Sequence, residues 1–225
     1  MSTQLLPGLY FFRDSCNVYL VVGKKSSIAI DFGTGDWLSE FESLALPPIS
    51  DVFLTHHHVD QCSGLGARDD WPFTIHASPG EAPFLSPDGV THFWAHRSEG
   101  GLPASFSVLE KGIPDIQYDM VGWTELFWER DRIRFLETPG HSRWATSILV
   151  NRGAKQVLFC GDAAHAGATI HQPYHLEWDH WQSVGPRVAW EGIERLRGPK
   201  AHLLCPSHGD VIDTKIPALL RTLSS

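Results

Sequence analysis

Between the apolar run Val52-Phe53-Leu54 and Gly64 the chain reads Thr55-His56-His57-His58-Val59-Asp60-Gln61-Cys62-Ser63. Imidazoles and a carboxylate crowd the end of an expected strand, where a sheet delivers side chains to a site. On the two-residue alternation of a strand, His56, His58 and Asp60 share one face while His57 and Val59 take the other. Imidazole and carboxylate on one face make a ligand set for a divalent cation, zinc or iron above all, and no thiolate cluster competes for the role. A solvated polar turn is the plain alternative for an isolated His-x-His. Histidines and an aspartate further along the chain, each at the end of an apolar run, weigh against it.

Those later stretches are Thr138-Pro139-Gly140-His141-Ser142, Phe159-Cys160-Gly161-Asp162-Ala163 and Pro206-Ser207-His208-Gly209. With His56 to Gln61 they resemble, in type and in order, the signature of the metallo-β-lactamase superfamily: His-x-His-x-Asp-His, a Thr-Pro-Gly-His turn, a Gly-Asp strand end and a Pro-x-His-Gly loop. Gln61 stands where the signature has its last histidine. The opening from Gly8, with Asn17-Val18-Tyr19-Leu20-Val21 and Ile30-Asp31-Phe32-Gly33, is similar to the family's first hairpin, so the resemblance runs from Gly8 to Val211.

The resemblance implies an α/β fold, the four-layer αββα metallo-β-lactamase-like sandwich, and a glyoxalase II-like metallohydrolase. It assigns His56, His58 and His141 to a first metal, Asp60 and His208 to a second, and Asp162 to a bridge between them. Three imidazoles suffice for a catalytic zinc with an open position, while Gln61 weakens the second site. One or two zinc ions are therefore expected, with iron also compatible. The implied reaction is attack of metal-bound hydroxide on an ester, thioester, lactone or related bond of a small molecule, with Asp60 orienting the hydroxide or carrying its proton. One alternative is a mononuclear iron oxidoreductase similar to persulfide dioxygenases, its ion on His56, His141 and Asp162. Another is a non-catalytic binding module on the same fold.

Composition narrows the partners. The chain has 225 residues and a net charge of −8, which repels phosphate backbones and anionic membranes, so neither nucleic acid nor membrane is expected as a partner. Its 42% hydrophobic and 20% charged residues are those of an ordinary globular protein. The N-terminal Met1-Ser2-Thr3-Gln4 opens no secretory signal, and no apolar run has the length of a membrane span. The 4 cysteines form no Cys-x-x-Cys pair and read as buried packing residues in a reducing, cytoplasmic setting. A small-molecule substrate is expected, and homo-oligomerisation is left open. With no repeat, linker tract or low-complexity segment, residues 1–225 read as a single domain.

The elements that must position these residues follow from periodicity. Asn17 to Val22 and Ser27 to Phe32 read as a hairpin; Trp37, Phe41 and Leu44 mark one helical face that Pro47-Pro48 ends. Val52-Phe53-Leu54 is a short, doubly covered central strand and Phe73 to His76 another. Ser78-Pro79-Gly80-Glu81 has the order of a capping box. Residues 86–104 lack a sustained period and read as a long irregular loop whose aromatics, with His92 and His96, suit either a substrate-facing flap or a satellite cluster packed on the surface. Strands resume at Glu125 to Glu129, Arg132 to Glu137, Ala145 to Val150, Gln156 to Cys160 and Ala201 to Cys205. His165, His171, His175 and His180 read as surface or pocket-rim residues, with a ligand or proton-shuttle role as the sharper alternative. Trp181, Val184, Val188, Ile193 and Leu196 make a helical stripe expected to kink or split at Gly185-Pro186.

Overall fold

The longest apolar runs become the central strands of two sheets in the computed structural model, which describes residues 2–99, 108–122, 124–165 and 185–223. The chain divides into two compact units, residues 1–119 and 120–225.

The first unit is built on a seven-stranded sheet whose strands lie side by side in chain order. They are β1 (Thr3–Leu6), β2 (Leu9–Arg13), β3 (Asn17–Val22), β4 (Ser27–Ile30), β5 (Ile49–Phe53), β6 (Thr74–His76) and β7 (Ile116–Gln117). Tight turns make β1 to β4 antiparallel, whereas β4 to β7 are parallel because helical crossovers separate them. Every residue of β3 and β4 is buried, as their apolar runs Val18 to Val22 and Ile28 to Ile30 lead one to expect. Helix α1 (Leu38–Ser43) follows, and Trp37, Phe41 and Leu44 pack against the core formed by Val18, Leu20, Val52 and Leu54. The parallel β5 lies between β4 and β6, so its C-terminal end delivers Thr55 to Asp60 from the middle of the sheet.

Three local expectations are corrected here. The strand ends at Phe53, and Val59–Cys62 forms a short helix, α2, so Asp60 lies in a helical first turn rather than on a strand face. Ser78 and Glu81 make no side-chain cap; Pro79–Glu81 is a 3-10 turn leading into α3 (Ala82–Leu85), and Glu81 is spent on His57 instead. The stretch read as an irregular loop is largely α4 (Pro87–Glu99), with Pro87 in its first turn. That helix is held by tertiary contacts rather than by an amphipathic period. Val90 is buried with Phe84 and Val108, and Trp94 Nε1 donates to the Leu109 carbonyl at 2.8 Å.

The second unit carries a five-stranded sheet in the order β12-β11-β10-β9-β8. Its strands are β8 (Glu125–Trp128), β9 (Asp131–Glu137), β10 (Thr146–Arg152), β11 (Lys155–Gly161) and β12 (Leu203–Pro206). The first four are joined antiparallel, and β12 pairs parallel to β11. Helices α5 (Gly185–Leu196) and α6 (Ile216–Leu223) bring Leu196, Ile216 and Leu220 onto Leu136, Leu149, Leu158 and Leu204. Among the described residues α5 spans Gly185–Leu196; Trp181 and Val184 lie outside the described residues, and with them the kink or split expected at Gly185-Pro186. No helix among the described residues is long and apolar enough to cross a membrane.

Candidate metal centre

In the first unit, the segment after β5 is pinned residue by residue. Asp31, at the end of β4, accepts the Thr55 amide at 2.8 Å and the Thr55 hydroxyl at 3.0 and 2.9 Å. With that hydroxyl proton directed to the carboxylate, Thr55 Oγ1 is left as the acceptor for His56 Nδ1, 3.0 Å away. The proton therefore sits on Nδ1, and Nε2 presents its lone pair, the form in which imidazole ligates a metal. Asp31 adopts a left-handed φ of 57°, a conformation sustained by these bonds.

His58 leaves the loop in an extended conformation, and its ring centroid lies 4.5 Å from that of His56. Each offers a ring nitrogen within 4.8 Å of the other. His57 turns the opposite way, as alternation predicts. Its Nδ1 and backbone amide both bond the buried Glu81 carboxylate, and its ring stacks on Phe84 at 4.3 Å. Cys62 donates to the carbonyls of His57 and His58, and burial pushes its thiol well above its ordinary pKa, so it is a brace rather than a nucleophile. Cys16, Cys62, Cys160 and Cys205 are all buried free thiols.

Asp60 is fixed through its backbone and its side chain. Ser15 Oγ donates to its carbonyl at 2.7 Å, and Gln61 Nε2 donates to its Oδ2 at 2.6 Å. Gln61 is fully buried; its Oε1 finds no hydrogen-bond partner among the described residues. The nitrogen of this amide is thus committed to a carboxylate and cannot face a cation, while its neutral oxygen is a weak donor.

In the second unit the arrangement centres on Asp162, 5% exposed at the end of β11. Its Oδ2 lies 3.2 Å from His141 Nε2 and 3.5 Å from His208 Nε2, and its Oδ1 lies 3.4 Å from His165 Nε2. His141 comes from the turn after β9, where Thr138 N donates to Ala145 O and Gly140 N to Ser142 O. Helix α5 closes on that turn because Gly192 has no Cβ; one placed there would stand 2.1 Å from the Pro139 carbonyl oxygen. His208 follows β12, whose loop is tied back by Ser207 N donating to Gly161 O at 3.0 Å.

These donor sets fit a divalent ion. Ligand bonds of about 2.0 to 2.2 Å at tetrahedral angles set neighbouring donor atoms about 3.4 Å apart, which matches the spacings around Asp162 and exceeds the roughly 2.7–2.9 Å of a charge-assisted hydrogen bond. Sequence reasoning missed Asp31, Thr55 and Glu81 as supports. Asp31 could have been found as an acidic residue closing the fully apolar Ile28-Ala29-Ile30. His171, His175 and His180 lie outside the described residues. An open cavity of about 610 Å³, lined by Pro48, Ile49, Ser50, Trp71, Pro72, Phe73 and Thr74, sits at the beginning of β5 and β6, the far end of those strands from His56.

The description of the metallo-beta-lactamase superfamily matches residues 12–208. The chain belongs to that superfamily. It is 29% identical over 213 residues to the metallo-beta-lactamase fold-containing protein ST1585 of Sulfurisphaera tokodaii, covering 91% of this chain and 77% of the relative. Among solved structures it resembles a Cronobacter sakazakii metallo-beta-lactamase described by its HARLDQ motif, with a TM-score of 0.71 at 16% identity over 92% of this chain and 78% of the other. A metallo-beta-lactamase family protein of Thermus thermophilus gives 0.73 at 18% identity, covering 98% and 79%. The two-sheet α/β architecture is that of the superfamily, a class of metal-dependent hydrolases at that level.

Proposed function

We propose that this protein is a metal-dependent hydrolase of the glyoxalase II-like kind, cleaving an ester, thioester, lactone or related bond of a small cytoplasmic molecule. In this reading His56, His58 and His141 hold a first ion, zinc by preference, and Asp60, Asp162 and His208 serve a second. The observation that carries it is Asp162, a buried carboxylate with imidazole nitrogens at ligand spacing on its Oδ2. Bound zinc supplies acidified water and polarises the scissile carbonyl.

The chain's own residues do the rest. Thr55 and Asp31 hold His56 in the tautomer that exposes Nε2. The Gln61 amide donates to Asp60 Oδ2 and so orients the carboxylate that would steer the attacking water and receive its proton. The HARLDQ motif of the Cronobacter protein likewise has glutamine after aspartate, so a glutamine at this point is compatible with the fold.

The test is elemental analysis of purified and reconstituted protein, beside hydrolysis of ester, thioester, lactone and phosphodiester panels with zinc, manganese or iron. His141→Ala is expected to lose bound metal and activity together. Unchanged metal content in that variant overturns the assignment. Iron in protein purified without added metal, with oxygen uptake on a persulfide and no hydrolysis, identifies the oxidoreductase instead.

A further inference from the structure

We infer that His92 and His96, one turn apart on the outer face of α4, form a two-imidazole chelate for a late first-row divalent ion, copper(II) above all. The site lies within the first unit, shares no residue with the candidate metal centre, and stands independently of the hydrolase reading.

The helix separates two sets of side chains. Val90, Phe93 and Trp94, at spacings of three and four, turn inward: Val90 is buried with Phe84 and Val108, and Phe93 and Trp94 pack on that cluster, the Phe93 and Phe84 ring centroids 5.7 Å apart. At about 100° per residue His92 and His96 fall on the opposite side, and both are exposed. Asp88, one turn before His92, is exposed as well and adds negative charge to that face. The aromatics thus hold α4 in place, and the histidines take no part in doing so.

The pair is arranged as a chelate. Its ring centroids are 3.9 Å apart, inside the 4.5 Å between those of His56 and His58. His96 Nδ1 lies 3.0 Å from the His92 carbonyl oxygen; a carbonyl only accepts, so Nδ1 carries the proton and Nε2 the lone pair. A backbone carbonyl on Nδ1 is the support that fixes the tautomer and orientation of ligating histidines. His92 is exposed, and a turn of its ring aims a nitrogen at the same ion. Two imidazoles at i and i+4 are the pair by which a helix presents nitrogen to zinc. With water on the remaining positions, nitrogen donors favour copper(II) over its first-row neighbours. The helix holds the second imidazole beside the first, so its bond to the ion forms at high effective concentration.

Copper(II) titration of the full-length protein tests this, with affinity and stoichiometry read by competition with a chelating dye and the donor atoms by electron paramagnetic resonance. Wild type is expected to bind one more copper(II) than His92→Ala, with two nitrogens on that ion. Other sites take up copper in both proteins, so the difference isolates this one. In His92→Ala or His96→Ala the ion is expected to bind at least about a hundredfold more weakly. Adding Asp88→His to His96→Ala restores a pair four residues apart and is expected to recover most of the affinity. Thr91→His in the same background has as many histidines but no such pair, and is expected to recover none. Equal copper uptake by wild type and His92→Ala, or equal recovery by Asp88→His and Thr91→His, overturns the inference.

Discussion

At the scale of single residues, the tautomer of His56 is decided by a neighbour that never touches the ion. Asp31 accepts a hydrogen bond from the Thr55 hydroxyl, Thr55 Oγ1 accepts one from the Nδ1–H of His56, and Nε2 is the unprotonated nitrogen. Replacing Thr55 with valine keeps the shape and removes the relay, so zinc affinity is expected to fall roughly 10- to 100-fold, the usual cost of losing an outer-shell partner. Competition with a chelating dye measures it. Thr55→Ser, which restores the hydroxyl, should recover most of the affinity, and no recovery would show that the methyl group rather than the relay matters. His56 and His58 were legible as candidate ligands from their types and spacing alone, and the structure brings their ring nitrogens within 4.8 Å of each other. His57 was legible only as facing away; that it meets Glu81 depends on a residue 24 positions later in the chain.

At the scale of elements, the turn that presents His141 is set by how closely α5 approaches it. Gly192 allows this contact, and the backbone of Gly140, at a φ of 151°, would bring a Cβ within 2.7 Å of Ala189 Cα on the same helix. A methyl at position 192 meets backbone rather than a flexible side-chain end, so either the helix or the turn must move. Gly192→Ala is expected to cost roughly 1–3 kcal/mol of stability, the range for overpacking a well-fitted contact. Because the displaced turn carries His141, metal affinity should fall as well. Urea unfolding of the metal-free protein and zinc titration separate the two effects, and an unchanged unfolding midpoint would mean that the contact relaxes at no cost. The helix α4 shows the same dependence on packing from the other side. His92-Phe93-Trp94-Ala95-His96 has no apolar period, and the segment becomes helical because Val90 and Trp94 find partners at Phe84, Val108 and Leu109.

At the scale of the whole molecule, the first unit ends on an ion-paired clasp that makes its stability depend on pH. His76 on β6 places Nε2 3.0 Å from Asp51 of β5 and Nδ1 3.0 Å from Asp119, the last residue of the unit. Burial pulls the His76 pKa down, but its bonds to Asp51 and Asp119 outweigh that and hold it above the ordinary value. Burial likewise pushes Asp51 up, and the bonds from His76 and Ser50 more than reverse it. A histidine raised on folding contributes its full stability below the unfolded value, about 6.5, and loses it as pH rises through the folded one. An aspartate depressed on folding loses its contribution as pH falls through its own folded value. The clasp is therefore strongest at about pH 5–6. With Asp119 mostly exposed, it should be worth about 1 kcal/mol there. The difference in urea midpoint between wild type and His76→Gln should be largest in that window and shrink toward about pH 9. A difference that does not vary with pH would rule out an ionised clasp.

By itself the sequence determined the donor types, their order along the chain, and most of the strands that carry them. Strands such as Asn17–Val22 and Thr146–Arg152 announce themselves through the apolar runs Val18 to Val22 and Ile148 to Val150, and a candidate ligand near a strand end can be read from the same pattern. Only the tertiary structure decided where Glu81 spends its charge, that residues 87–99 coil into a helix, and that His165 stands against Asp162. Local periodicity records which face of one element is apolar. It cannot record which polar group from elsewhere will meet a given carboxylate, because that depends on distances set after the sheets and helices have packed.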